Sequence, residues 1–154
     1  MRSHPRALAA LVALAVPVAA AQTVKETLDL TRQAIENQRR VLVAGAIPLT
    51  DAEAKDFWPL YDGYEQKRRP IDERANRLVA DFLASAATLT DAQAKTMLAE
   101  ALELDERRLA LRREYMERMG KAIPPRKLVR FFQIENKLDS VVRADVARQV
   151  PLVP

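Results

Sequence analysis

Cysteine is absent from this chain, and histidine occurs once, at position 4. Those two gaps remove disulfide staples, Cys–His nucleophile pairs and the Cys/His sets that bind zinc, so the fold must be held by packing. Glycine is nearly as scarce, with three residues, and aromatics make up only 5% of the chain. Nothing reads as a strand pair, and three glycines suit punctuation between helices. Past the first 21 residues no apolar run approaches the roughly 20 residues that a membrane span needs. Paired carboxylates abound, but on exposed helices nothing would shift their pKa toward catalysis. No enzyme chemistry is expected, and no cofactor or metal.

The first 21 residues read as an export leader. Arg2, His4 and Arg6 make a basic start, Ala7 to Val16 a short apolar core, and Ala19-Ala20-Ala21 a small-residue cleavage site after Pro17. Cleavage there leaves Gln22 as the new N-terminus and 133 of the 154 residues, enough for one modest domain over 22–154. The leader takes Arg2 and Arg6 with it, lowering the net charge from +4 to +2, and removes His4 as well. So small an excess of positive charge argues against nucleic acid as a partner.

The most informative stretch is used twice. Leu49-Thr50-Asp51-Ala52-Glu53-Ala54-Lys55 returns forty residues later as Leu89-Thr90-Asp91-Ala92-Gln93-Ala94-Lys95. Thr followed three residues on by Glu or Gln is a capping box, in which hydroxyl and side-chain oxygen each accept from the other residue's backbone amide. Asp51 and Asp91 complement the positive end of the helix dipole. Leu49 and Leu89 precede the caps, placed for weak staples on Ala54 and Ala94.

Four helices follow from these starts and from apolar spacing. The first covers 23–44, with Val24, Leu28, Thr31, Ile35, Gln38 and Leu42 on one stripe and Gly45 just past its end. The second runs over 51–84, its stripe of Phe57, Tyr61, Tyr64, Arg68, Ile71, Ala75, Leu78 and Phe82 holding register through Pro59 and Pro70. That continuity predicts one bent helix rather than several. A short turn over 85–88 favours an antiparallel third helix, from Asp91 to Met119, ended by Gly120. Ile123-Pro124-Pro125 starts the fourth, with Pro125 in its first turn and six basic and three acidic residues from Arg126 to Arg148. Its apolar tail, Val150 to Pro154, is placed to dock on its own domain or on a partner. The aromatics Phe57, Trp58, Tyr61 and Tyr64 read as core packing, with an exposed binding platform as the alternative.

Leader, four helices and a twice-used Leu-Thr-x-x-Gln/Glu pattern together resemble the Spy/CpxP family of small exported helical proteins. Residues 89–93 match the family's Leu-Thr-x-x-Gln motif, whereas 49–53 depart at Glu53, which can still close the box. The run Phe131 to Asp139 and the segment Phe57-Trp58-Pro59 also look like a set of exported proteins from Gram-negative bacteria. The resemblance implies a periplasmic all-α protein with a long bent antiparallel α-hairpin, paired as a dimer with a basic, apolar-patched concave face. It implies a chaperone-like or envelope-stress factor that binds unfolded or partner proteins without ATP. Regulation of a membrane sensor kinase, or a structural envelope role, is the alternative. Some relatives sense metals through histidines, which this chain lacks after its leader. Candidate protein contacts are Phe57, Tyr64, Arg68, Arg69, Arg108, Arg112, Arg126 and Arg130. Leu49, Thr50, Glu53, Leu89, Thr90 and Gln93 carry the motif.

Overall fold

The computed structural model describes residues 30, 33–35 and 37–152, and every regular element among them is helical. The leader over 1–21, and Val24, Leu28 and Thr31 of the first stripe, lie outside the described residues. The elements are α1 (helical at 30, 33–35 and 37–46), α2 (Asp51–Ser85), a short 3-10 turn (Ala86–Thr88), α3 (Asp91–Met119) and α4 (Pro125–Gln149). Among the described residues no helix is long and apolar enough to cross a membrane.

Both capping boxes form. Thr50 accepts from the Glu53 amide while Glu53 accepts from the Thr50 amide at 2.7 Å. Thr90 and Gln93 repeat the exchange, the Thr90 amide donating to Gln93 Oε1 at 3.0 Å. α2 passes unbroken through Pro59 and Pro70. Both prolines are exposed, as are Lys55 and Gln66 four residues before them, so water can meet the carbonyls that lose an amide partner. The predicted end of α1 needs correcting. Gly45 lies inside the helix, which closes through the Ile47 amide on the Val43 carbonyl at 3.1 Å, and no described glycine has positive φ. Gly63 has a different use: a Cβ there would stand 2.9 Å from the Tyr115 hydroxyl. A mid-helix glycine costs about 1 kcal/mol of propensity, accepted here so that α3 can lie close.

The contacts between α2 and α3 run in reverse order. Tyr64 meets Tyr115, Lys67 meets Glu114, Asp72 meets Arg108 and Arg74 meets Glu100. The core sits toward one end of this pair. Phe57, Tyr61 and Tyr64 of α2 meet Leu111, Tyr115 and Met119 of α3, Phe131 of α4, and Val43 and Ile47 at the end of α1. Phe131 is the hub, edge-on to Phe57 at 5.5 Å between centroids and to Tyr61 and Tyr64 at 6.1 Å. Such edge-to-face geometry adds attraction beyond the buried area. Toward the other end no residue from 73 to 103 is fully buried.

Candidate functional site

The predicted contact residues divide by burial. Phe57 and Tyr64 are core residues, so the alternative of an exposed aromatic platform is corrected. Their stripe is the face that α4 and α3 cover. Arg68, on the same stripe, is buried too and is no surface contact. Arg108 and Arg112 are half-buried and engaged by carboxylates. Arg69, Arg126 and Arg130 are exposed. Leu49 packs against the core, and Leu89 is half-buried at the start of α3.

Burial of Arg68 exposes a site that sequence reading missed: a cluster of charges where all four helices meet. Arg68 forks onto both oxygens of Glu65, Nε and Nη2 each at 2.8 Å, and reaches Asp72 with Nη1. Asp72 also accepts from Arg108 of α3 at 2.8 Å. Arg39 of α1 donates to Glu135 Oε2 at 2.6 Å and to Asp139 Oδ1 at 2.9 Å, both on α4. Arg112 of α3 holds the other oxygen of Asp139. Four guanidiniums thus face four carboxylates, and the bonds between them link α1 to α4, α4 to α3 and α3 to α2.

The sequence did carry a signal for it. Arg39 lies four residues from both Ile35 and Val43, and Glu135 lies four past Phe131 and three before Leu138. Charges of opposite sign on the apolar stripes of different helices mark a buried pair, because neither stripe has another way to satisfy its charge.

Electrostatics differ across the cluster. Burial pushes the Glu135 carboxyl up to about 7, with Glu65 and Asp139 adding to the rise and Arg39 opposing it. Its Oε1 is buried with no hydrogen-bond partner among the described residues, which makes it the atom for the proton. Burial also works against the charge of Asp139, but Arg39 and Arg112 outweigh it and hold that carboxyl below its ordinary range. For Arg39 burial again opposes the charge, and Glu135 and Asp139 overcome it. Glu135 and Asp139, one turn apart on α4, are thus shifted in opposite directions.

Beside the cluster lies a groove of about 480 Å³, with Arg39, Arg68, Arg108 and Asp139 at its charged end. Val79, Val142 and Val146 form its apolar wall. Among the described residues no group of His, Cys, Asp or Glu is arranged to hold a metal ion.

A second feature is on the surface. Along α3, Leu98, Leu102, Leu109 and Met116 are 63%, 57%, 50% and 49% exposed. The last three are seven residues apart, so they form one row on a helix of 3.6 residues per turn. Glu106 and Arg113 stand beside it. No protein-family model, curated protein or solved structure matches the chain.

Proposed function

We propose that the chain is an exported, periplasmic protein-binding factor of the chaperone-like kind, which captures unfolded or partly folded polypeptides without nucleotide. The observation that carries this reading is the exposed apolar row on α3. A row of four large apolar side chains on one line of α3 is more than scattered exposure, and exposed apolar surface bordered by charge marks an interaction site. Exposed Arg69, Arg107 and Arg113 would draw acidic segments by charge, and the row would hold apolar ones weakly. The α2–α3 pair is then a hairpin whose far end, uncovered by the core, adds Leu78, Phe82 and Leu83 as half-buried contacts.

The purified chain, in several-fold excess over a chemically denatured client, should suppress its aggregation. Leu102→Asp with Leu109→Asp should abolish that protection while leaving thermal unfolding nearly unchanged. No protection by the unaltered chain would end the chaperone reading.

One observation favours a second reading, a dimer closed through the same row. With Leu109 opposite its own copy in antiparallel register, Leu102 faces Met116 and Asp105 faces Arg113. The row is thereby self-complementary in shape and charge. A dimer by light scattering that the same double substitution splits, with no client protection, would favour this occupant.

A further inference from the structure

Between 126 and 148 helix α4 carries six basic and three acidic residues, which in sequence is a mildly positive mixture. Folding sorts the signs. Glu135 is fully buried, Asp139 faces inward to Arg39 and Arg112, and Asp145 is mostly covered beside Arg148. Lys127 turns toward Glu53 of α2 at 2.5 Å. Arg126, Arg130, Lys137 and Arg143 remain exposed, none with a carboxylate partner among the described residues, and no acid on α4 is exposed. The outer faces of α2 and α3 differ: Asp56 and Asp62 alternate there with Arg69 and Arg77, and Glu106 and Glu117 with Arg107 and Arg113.

At 3.6 residues per turn, Arg126, Arg130, Lys137 and Arg148 fall within about 40° of one line, and Glu135 lies on the opposite side of the helix. The row is about 33 Å long at 1.5 Å per residue. Arg126, Arg130 and Lys137 also line one open depression of about 540 Å³, to which Val129 and Ile134 add apolar surface. Val129 and Val141 are exposed beside the row.

We propose that this face of α4 docks on an anionic phospholipid surface. The cations take lipid phosphates, and Val129 and Ile134 meet the first carbons of an acyl chain in the depression. A straight row of long, flexible cations on an outward helix face fits a fluid sheet of phosphates. An acidic protein partner would be expected to find an aromatic anchor or a deep pocket, and this face has neither. The apolar face of α4 stays in the core, so contact is peripheral and chiefly electrostatic, and the helix itself is not inserted.

The test is co-sedimentation of the purified chain with vesicles of phosphatidylcholine alone or enriched in phosphatidylglycerol. Sedimentation is expected with the anionic vesicles only, and it should vanish toward 1 M salt, where the screening length is about 3 Å. Each basic residue at an anionic surface is worth about fivefold in partitioning, so R126E/R130E/K137E should lower binding by roughly a hundredfold or more. The milder Lys137→Gln alone should lower it about fivefold. A matched reversal on the other helices, K55E/R77E/K95E, should change it far less. Equal sedimentation with neutral vesicles, or full binding by the α4 variants, overturns the proposal. So does binding of poly-glutamate without vesicle binding, which would identify an acidic polypeptide as the partner. Client protection by the α4 variants is read separately, so failure here is distinct from failure of the chaperone reading.

Discussion

The two ends of the α2–α3 pair are made from the same two helices and differ in what covers them. From Phe57 to Arg68 and from Leu104 to Met119, α1 and α4 close over the pair, and aromatics and charges alike are buried. From 73 to 103 the pair holds no fully buried residue. Amphipathic periodicity is similar throughout α2, since Leu78 and Phe82 continue the stripe of Phe57 and Tyr61. Two helices in contact shield a stripe only partly, and a third is needed to remove it from water. Stability should concentrate where four helices meet, while the open end keeps apolar surface free for other contacts.

The sharpest way to break that contrast is at the hub. Phe131→Ala should cost about 3–5 kcal/mol in denaturant unfolding, because it opens a cavity between three helices. Phe82→Ala, half-buried at the open end, should cost well under half of that. Equal costs would mean that the open end is covered in solution, as a dimer would do.

The charge cluster gives the next largest effect, and it depends on pH. Arg39→Ala should destabilise by about 3 kcal/mol or more near pH 8, since it strands a buried carboxylate. It should cost less near pH 6, because Glu135 can take a proton and become neutral. The same shift acts in the unaltered chain. With its pKa raised from 4.5 to about 7, Glu135 binds its proton more tightly folded than unfolded. The associated stability is full below about pH 4.5 and is lost as pH rises through 7, by at most about 1.4 kcal/mol per pH unit. Asp139 acts oppositely, its contribution being lost only as pH falls below its ordinary 3.8. Glu135→Gln should flatten the decline between about pH 4.5 and pH 7. An unchanged pH profile in that variant would assign the slope elsewhere.

The smallest effects separate the two capping boxes. Thr90→Ala and Thr50→Ala should each cost about 1 kcal/mol. For Thr90→Ala the loss should appear mainly as faster amide exchange in the first turns of α3, at the open end. For Thr50→Ala it should spread into α4, because Glu53 of that box also pairs with Lys127. That ion pair gives a physical reason for Glu at 53 where the second copy has Gln93.

Much of the helix layout was legible because its signals are local. The Thr90 box and Gly120 mark where α3 begins and ends, and the unbroken stripe carries α2 through two prolines. Gly45 reads as a stop, whereas tertiary packing of Val43 and Ile47 holds the helix two residues further, to 46. Nothing local singles out Arg39, Glu65, Asp72, Glu135 and Asp139 as partners, although Arg39 and Glu135 interrupt apolar stripes and Glu65 and Asp72 lie three and four residues from Arg68. Phe57 and Tyr64 read as core packing and yet stand, with Arg68, among the candidate contacts, because a stripe shows which residues share a face and not what that face meets.

By itself, then, the sequence determined an all-helical chain, the starts of α2 and α3, and the absence of any thiol or imidazole chemistry beyond His4. Capping, periodicity and composition act within a few residues, and they need no knowledge of the rest of the fold. Only the tertiary structure decided that Arg39 meets Glu135, ninety-six residues away. Only it turned the acids of α4 inward and left most of its cations exposed. A charge's partner and its solvent exposure depend on which distant segment packs beside it, and that information is spread across the chain rather than written next to the residue.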